Sequence, residues 1–389
     1  MTTAPGVIRD SIVTFLEAIG DEASLKQIHN AVVAKLGSVS DSSIRSYLGL
    51  NEGRMFERTR RGRYRLVSSI PANDRNGHTA LLPPALVWGK AKLYRGDCFD
   101  WLSKWGEKTV HAVVTDPPYG LTEYTQPELT KLRNGRGGVW RIPPSFDGHQ
   151  RSPLPRFTIM TAEDRKELHA FFKRFGALVA KVLVPGGNAV VATNPLLQHI
   201  VASAMSEGGL ELRGSIARLT MTMRGGDRPK NAHEEFRDVS VMPRSQWEPW
   251  VVLRRPIEGR VQDNLRKYKT GGFRRLSDDR PFGDVIRSRP TTAAERKIAP
   301  HPSLKPQDFL RHLVRASLPL GEGIVLDPFA GSGSTLAAAS AVGYESIGVE
   351  ADLEYVRLAS EAIPALAKLK LAGASTPDAT AEEPAAATY

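Results

Sequence analysis

The sequence has 389 residues, enough for two or three domains, and its 41% hydrophobic content supports a sizeable core. No run of about 18 apolar residues occurs, which excludes a membrane-spanning helix. The single cysteine excludes an internal disulfide framework and a Cys-rich zinc site, so no metal is expected. The net charge is +11, and residues 71–299 hold 37 Lys and Arg against 24 Asp and Glu. This asymmetry favours a surface that follows phosphates over an ordinary solvated one.

Residues 1–68 have the pattern of a small N-terminal module. Helical spacing of apolar residues predicts a helix over Val7–Ile19, and Ser24 is a suitable N-cap for a second helix. A third helix follows Ser40, and a basic hairpin lies over 55–67. This order is typical of a winged helix-turn-helix, in which the third helix and the hairpin contact DNA. The candidate DNA-binding residues here are Arg45, Arg58, Arg61 and Arg63.

Residues 69–89 are rich in proline and polar residues and are predicted to be a linker. From residue 90 onward, strands and helices alternate. Strands are predicted at 92–94, 110–115, 189–193, 324–326 and 346–349, and helices at 164–184, 335–341 and 352–371. Such alternation is typical of an α/β fold with a doubly wound, mostly parallel sheet. Residues 372–389 have the composition of a disordered tail.

Asp116, Pro117, Pro118 and Tyr119 follow the apolar run Val110–Val114 directly. Two prolines fix the backbone between a carboxylate and an aromatic ring. The ring of Tyr119 could stack on a flat nucleobase, while the carboxylate of Asp116 accepts hydrogen bonds from an exocyclic amine. A plain proline turn after a strand is the alternative interpretation.

A second motif runs from Asp327 to Thr335, between a predicted strand and a predicted helix. Gly331 and Gly333 allow a positive φ and a close approach of the backbone to a ligand. Because no lysine follows the glycines and no third glycine follows them, the motif is neither a triphosphate loop nor the usual dinucleotide fingerprint. Glu350 ends the next strand, where an acidic residue commonly holds ribose hydroxyls.

These two motifs resemble those of the DNA amino-methyltransferases that use S-adenosylmethionine. The catalytic motif precedes the cofactor motif, as in the β group of that family, which implies a Rossmann-like methyltransferase sheet with circularly permuted motif order. The resemblance covers roughly residues 90–371. It implies the catalytic residues Asp116, Pro117, Pro118 and Tyr119. The cofactor-binding residues that it implies are Asp97, Asp327, Phe329, Gly331, Ser332, Gly333, Glu350, His301 and Lys305.

The resemblance also implies that the target base leaves the DNA helix before its amine is methylated. Asp at position 116 favours adenine N6, and cytosine N4 stays open as the alternative. A non-catalytic DNA-binding regulator is the alternative from a different class. Double-stranded DNA is the expected partner, whereas a homodimer, a restriction endonuclease partner and the recognition sequence are left open. The lack of an apolar signal block in the first 20 residues leads us to expect a cytoplasmic protein.

Two basic segments lie outside the predicted core pattern. Residues 121–158 form a polar, glycine-containing insertion that is predicted to be mobile and to act as a lid, a DNA clamp or a plain loop. Residues 259–297 occupy the place where the family inserts its target-recognition region. The candidate DNA-binding residues of this second segment are Arg266, Lys267, Arg274 and Arg275.

Overall fold

The computed structural model describes residues 7–37, 39, 44–45, 48, 56–60, 62–66, 83–118, 161–224, 228–229, 231–301 and 303–371. The chain divides into two compact units, Met1–Leu82 and Pro83–Tyr389. Some of the sequence predictions concern residues outside the described ranges. These are Tyr119, Arg61, the insertion 121–158 and the tail 372–389. Among the described helices, none combines the length and apolar character needed to cross a bilayer.

Among its described residues, the first unit contains the helices α1 (Val7–Ile19) and α2 (Leu25–Leu36) and a small antiparallel sheet. Its strands are β1 (Ala23–Ser24), β2 (Phe56–Arg60) and β3 (Arg63–Leu66), in the order β1-β3-β2. Ser24 caps α2, and it does so in a capping box with Gln27, as its position in the sequence predicted.

The core of this unit is formed by buried apolar side chains from every described element: Ile12, Leu16, Ala23, Ile28, Val32, Ile44, Leu48, Phe56 and Tyr64. Ile44 and Leu48 belong to the segment predicted as the third helix, and the described residues of that segment are helical. The unit therefore has a hydrophobic core of its own, built from residues at helical and strand spacing.

In the described part of the chain, the second unit is built on nine strands in the order β10-β8-β9-β7-β6-β11-β12-β5-β4. They are β4 (Leu86–Trp88), β5 (Ala91–Arg95), β6 (Val110–Thr115), β7 (Leu183–Ala192), β8 (Glu211–Arg224), β9 (Ser245–Arg254), β10 (Val285–Arg287), β11 (Ile324–Asp327) and β12 (Glu345–Glu350). All pairs are parallel except those of β9 with its two neighbours and of β4 with β5. The sheet is therefore mixed, with β9 and β4 running against the rest.

Eight helices accompany this sheet in the described part of the unit. They are α3 (Cys98–Lys104), α4 (Ala162–Val182), α5 (Gln198–Glu207), α6 (Val261–Tyr268), α7 (Ala293–Ile298), α8 (Gln307–Ser317), α9 (Ser334–Ala341) and α10 (Leu353–Lys368). On one face, Ala112 and Val114 of β6 pack with Phe309 and Leu313 of α8. Val113, which points the other way along β6, is also buried. Both faces of the central strands are thus covered, as their continuous apolar runs predicted.

Several boundaries differ from the sequence predictions, two of them at the linker and at the start of β7. Leu86–Trp88, placed in the linker 69–89, is an edge strand that pairs with β5, so the predicted linker extends too far. The predicted helix 164–184 ends at Val182, because Leu183 takes an extended conformation with φ −65° and ψ 141° and begins β7. The long strand β8 had not been predicted at all.

The direction of the strands decides where the functional residues lie. Seven of the nine strands end at the same edge of the sheet, which we call the carboxyl edge. Asp116 follows β6 at this edge, and the loop 328–333 follows β11 beside it. Because β9 runs the other way, its first residues also lie at the carboxyl edge. Ligands of open α/β sheets bind at this edge.

Candidate active site

A hydrogen bond joins the two predicted motifs. Thr115 Oγ1 donates to Asp327 Oδ1 at 2.7 Å, and both side chains are buried. The backbone N–H of Phe329 donates to the same carboxylate oxygen at 3.1 Å. Asp327, predicted to bind the cofactor, therefore fastens the loop 328–333 to the end of strand β6. Burial raises the pKa of Asp327 to about 6, against the effect of these hydrogen bonds.

The loop 328–333 has the backbone that its glycines predicted. Gly331 has φ 50° and Gly333 has φ 77°, so both occupy the left-handed region. A Cβ on Gly331 would lie 3.2 Å from His301 Cε1, and one on Gly333 would lie 2.4 Å from Ile363 Cγ1. Side chains at these positions would therefore be strained and would also crowd their neighbours. Ser332, between the two glycines, is buried.

Glu350 supports the same loop from the end of β12. Its Oε2 accepts the N–H of Gly331 at 2.9 Å, and its Oε1 accepts the N–H of Asp352 at 2.7 Å. Burial raises the pKa of Glu350, although these backbone donors act in the opposite direction. A carboxylate has about four acceptor sites, so this side chain can also accept ribose hydroxyls.

Asp97 lies near Glu350, because β5 and β12 pair in parallel and Gly96 N donates to the Glu350 carbonyl at 3.0 Å. Its Oδ1 caps α3 by accepting the N–H groups of Phe99 and Asp100 at 2.9 and 3.1 Å. The cap leaves Asp97 accessible at the carboxyl edge. Two carboxylates, a glycine loop and the amino end of α9 therefore surround one region of this edge. This set of donors and acceptors fits an adenosyl amino-acid cofactor.

Phe329 and His301 line the same region from its sides. The Phe329 ring lies 5.3 Å from that of Phe175 in α4. The His301 ring lies 4.4 Å from that of Tyr355, edge to face, and its Nδ1 accepts the N–H of Ser303 at 3.1 Å. Burial lowers the pKa of His301, which favours the neutral imidazole. The structure thus brings both predicted cofactor residues to the loop 328–333.

Lys305 lies beside Asp116. Its Nζ is 2.8 Å from Asp116 Oδ2 and 3.0 Å from Glu248 Oε1. The sequence groups Lys305 with the cofactor-binding residues, and in the structure it is ion-paired with Asp116, the predicted catalytic carboxylate. Glu248 and its second partner, Arg218, had not been recognised as site residues. Glu248 stands just before the apolar part of β9, and only the antiparallel direction of that strand reveals its place in the site.

Thr193 is another residue that the sequence analysis missed. It follows β7, the neighbour of β6, and its N–H donates to the Pro249 carbonyl at 2.9 Å. Its side chain is 1% exposed, and its Oγ1 has no hydrogen-bond partner within the part of the chain that the structure describes. A buried hydroxyl of this kind at the carboxyl edge is a candidate contact for the substrate.

The predicted DNA-binding residues of the segment 259–275 are not near Asp116. The amide of Asn264 in α6 donates to the Pro185 carbonyl at 3.0 Å, which fixes α6 at the start of β7. Arg274 Nη1 donates to Tyr344 Oη at 2.8 Å, just before β12 begins. These contacts belong to the amino edge of the parallel strands, opposite the carboxyl edge.

The individual candidates in this segment also have local partners. Arg266 pairs with Asp263 at 3.0 Å, and Lys267 pairs with Glu258 at 2.9 Å. Arg275 Nε donates to the Asp278 carbonyl at 3.1 Å. Within the predicted recognition region, the later part from β10 onward reaches the carboxyl edge, because β10 runs parallel to β8.

The lone cysteine, Cys98, is buried at the start of α3, and burial raises the pKa of its thiol. Such a thiol is a poor nucleophile, which agrees with the structural role expected for it. Among the described residues, no group of three or more His, Cys, Asp and Glu side chains is arranged to hold a metal ion.

A catalytic motif and a cofactor loop on adjacent parallel strands define the site of a methyltransferase. The family model described as DNA methylase matches residues 110–361, and the chain belongs to this family. It is therefore a DNA methyltransferase that takes its methyl group from S-adenosylmethionine.

Curated relatives match the chain over most of their length. The type II methyltransferase M2.DpnII of Streptococcus pneumoniae is 23% identical over 289 residues, which are 74% of this chain and 95% of the relative. The type II methyltransferase M2.MboI of Moraxella bovis is 21% identical over 267 residues, 68% of this chain and 85% of the relative.

Solved structures also resemble the chain. The cytosine-N4-specific PvuII DNA methyltransferase has a TM-score of 0.47 at 16% identity, covering 74% of this chain and 89% of that one. A DNA modification methylase of Thermus thermophilus, solved with S-adenosyl-L-methionine, has a TM-score of 0.45 at 23% identity, covering 71% and 95%.

A first prediction concerns Asp327. Its pKa of about 6 lies above the ordinary value of 3.8, so between these pH values the folded protein binds more protons than the unfolded chain. Stability should therefore fall as the pH rises from about 4 to about 6, by up to about 3 kcal/mol from this group. Asp327→Asn should remove this dependence. Urea unfolding at several pH values measures it, with the exposed Asp279→Asn as control. If the free energy of unfolding changes with pH in the same way in wild type and in Asp327→Asn, the prediction is contradicted.

A second prediction concerns Gly331. Gly331→Ala should weaken S-adenosylmethionine binding about tenfold or more, because the new Cβ would crowd His301 and distort the loop that Glu350 supports. Gly343→Ala is the matched control, since Gly343 has φ 84° and open space around its Cα. Calorimetric titration of both variants gives the dissociation constants. Equal affinities in the two variants would show that the crowding at Gly331 is harmless.

Proposed function

We propose that this protein methylates the N6 amine of adenine in double-stranded DNA, at a specific sequence. The observation that carries the proposal is the position of Asp116, at the end of β6 and joined through Thr115 to the cofactor loop. The resemblance described above associates Asp in this position with adenine and Ser with cytosine N4. The family model covers amino-methylating enzymes, and cytosine N4 is the second candidate target.

The residues at this edge suit chemistry on an amine. Asp116 follows the buried end of β6, with Pro117 buried and Pro118 exposed, so the backbone here is stiff. The carboxylate would accept a hydrogen bond from the amine and stabilise the positive charge that develops on its nitrogen. S-adenosylmethionine, when bound by the loop 328–333, Glu350 and Asp97, supplies the electrophilic methyl group. Tyr119, by the same resemblance, would stack on the base, which must first leave the helix.

We further propose that the first unit is a winged helix-turn-helix that binds DNA. The elements of this unit support the proposal. They follow the order α1, β1, α2, a segment with helical residues, and a basic hairpin formed by β2 and β3. Glu22 reduces the charge of the hairpin, because it pairs with Arg60 at 2.6 Å and with Arg63 at 3.1 Å. Hydrogen bonds from Thr59 and Arg60 hold the pKa of Glu22 at about 2. Arg58 is exposed and is the stronger candidate for a phosphate contact, while Arg45 and Arg61 stay candidates from the sequence.

For the catalytic unit, we propose that the DNA-facing part of the recognition region is residues 285–297 rather than 259–275. Its support is the parallel pairing of β10 with β8, which directs Arg287 and the residues after it to the carboxyl edge. Five further points stay predictions from the sequence: the permuted motif order, a homodimer, a restriction endonuclease partner, the domain bounds and a cytoplasmic location.

Mapping the methylated base tests the main proposal. Wild-type protein, duplex DNA of mixed sequence and labelled S-adenosylmethionine are incubated, and the DNA is digested to nucleosides and separated. The expected product is N6-methyladenine. N4-methylcytosine as the product would contradict the choice of adenine as the target base. If no methyl group is transferred to any duplex, the proposed methyltransferase function is contradicted and the non-catalytic DNA-binding regulator is favoured.

A third prediction follows for Asp116. Asp116→Ala should lower the methyl-transfer rate by about a hundredfold or more, because the amine loses the acceptor that stabilises its developing charge. S-adenosylmethionine binding should change little. Single-turnover transfer and calorimetry measure the two properties, with Asp279→Ala as a surface control. Transfer at the wild-type rate would show that Asp116 is not catalytic.

A fourth prediction concerns the hairpin. Arg58→Ala should lower the slope of log affinity against log salt by about one, as expected for the loss of one phosphate contact. Arg65→Ala is the matched control, because Arg65 is paired with Glu57 at 2.9 Å in the same hairpin. Duplex binding measured at several salt concentrations gives both slopes. If neither variant changes the slope or the affinity, the first unit does not bind DNA through this hairpin.

A further inference from the structure

Four charged side chains form a continuous row at the carboxyl edge. Lys305 Nζ lies 2.8 Å from Asp116 Oδ2 and 3.0 Å from Glu248 Oε1. Glu248 Oε2 accepts from Arg218 Nη1 at 2.6 Å, and Arg218 Nε donates to Ser288 Oγ at 3.0 Å. The charges alternate in sign along the row and sum to zero. We call these four residues, Asp116, Lys305, Glu248 and Arg218, the charge row.

The mixed sheet assembles the charge row from four distant segments. Asp116 follows β6, Lys305 precedes α8, and Arg218 and Glu248 face each other across the antiparallel pair β8–β9. Phe309, in the first turns of α8, lies under the guanidinium of Arg218, with 4.9 Å from Cζ to the ring centroid. The row is thus held in place from both sides, by the sheet and by a helix.

Burial makes each charge in the row dependent on its neighbours. The four side chains are 8% to 19% exposed. Burial alone would lower the pKa of Lys305, but the carboxylates of Asp116 and Glu248 outweigh it and raise that pKa. Burial likewise opposes ionisation of Glu248, yet Lys305 and Arg218 lower its pKa. The lysine is therefore charged at neutral pH, and removing one partner leaves a buried charge uncompensated.

We propose that Lys305 is a positioning residue that holds the carboxylate of Asp116 in the orientation needed to accept the target amine, and that Glu248 and Arg218 fix Lys305. The proposal rests on the proposed function, because it assigns Lys305 to that reaction and not to cofactor binding. The contact of Lys305 with Asp116 Oδ2 limits rotation of the carboxylate.

Glu248 has a second consequence in this arrangement. A lone ammonium beside Asp116 would cancel the negative charge that stabilises the amine as it becomes positive. Glu248, 3.0 Å from the same ammonium, offsets that charge. Replacing Glu248 by glutamine keeps the shape of the site but shifts the balance toward positive charge. Methyl transfer should therefore slow even though Asp116 and Lys305 are both present.

The first experiment compares Lys305→Met, Lys305→Arg and Glu248→Gln with wild type in the full-length protein. Single-turnover transfer on duplex DNA, KM for DNA and calorimetric binding of S-adenosylmethionine are measured. Lys305→Met should lower the transfer rate about thirtyfold or more at saturating cofactor, with cofactor affinity within about threefold of wild type. Lys305→Arg should restore part of the rate, because it keeps a cation beside Asp116. Glu248→Gln should lower the rate about tenfold.

Arg254→Met is the matched control. Arg254 is buried and pairs with Glu211 at 2.7 Å on the same sheet, but at the amino edge. The Arg254→Met variant should lower the midpoint of thermal unfolding, as Lys305→Met does. Its folded form should nevertheless transfer methyl groups at a rate near that of wild type. If Lys305→Met weakens cofactor binding about tenfold while the saturated rate is unchanged, Lys305 binds the cofactor and the proposal is overturned. Equal transfer rates in Lys305→Met and wild type would overturn it too.

A thermal double-mutant cycle separates this proposal from the proposed function. Asp116→Asn, Lys305→Met and the double variant are unfolded by heat, and the loss in the double variant should be smaller than the sum of the single losses. Additive losses would overturn the pairing of Lys305 with Asp116, whatever the activity. Non-additive losses together with no methyl transfer by wild type would uphold the pairing and reject the proposed function.

Discussion

The hydrogen bond between Thr115 and Asp327 is the contact on which the arrangement of the active site depends. It ties the last residue of β6 to the last residue of β11, at the point where each strand gives way to a functional loop. Parallel pairing of these strands brings the two loops side by side, and the hydrogen bond fixes the position of one loop relative to the other along the strand direction. The starts of the predicted catalytic motif and of the loop 328–333 are therefore fixed relative to each other.

The carboxylates at this edge have different tasks because their surroundings differ. Asp327 is enclosed and tied to hydroxyl and backbone donors, so its charge is costly and its pKa rises. Glu350 is used largely for backbone N–H groups of the cofactor loop. Asp116 is balanced by the ammonium of Lys305. One edge of a sheet can thus hold three carboxylates with different predicted roles without mutual repulsion dominating.

Much of the fold was predictable from local sequence patterns. The strands around Val113, Val190 and Val325 are continuous apolar runs, and the glycines of the cofactor loop show the positive φ that their spacing predicted. Ser24 was recognisable as a helix cap because capping is a local interaction. Motif resemblance, rather than periodicity, then led to the family that the comparisons show.

Contacts across the sheet were not predictable in this way. Lys305 was grouped with the cofactor residues because of its neighbours in the sequence, while its actual partners, Asp116 and Glu248, are distant along the chain. The basic residues 266–275 were assigned to DNA by their composition and by their place in the family's motif order, neither of which tells which edge of the sheet a segment occupies. The reversal of β9 is the feature that a single sequence conceals, since strand direction follows from the whole topology.

That reversal matters for anyone who exchanges recognition regions between related enzymes to change target choice. A segment spanning β8 to β10 carries Arg218 and Glu248 along with any base-reading side chains, while Asp116 and Lys305 stay with the recipient. A donor segment with uncharged residues at these two positions would leave the ammonium of Lys305 with Asp116 as its remaining partner in the charge row. By the proposal above, such a chimera would transfer methyl groups more slowly, and arginine and glutamate at these two positions of the donor segment would restore the charge row.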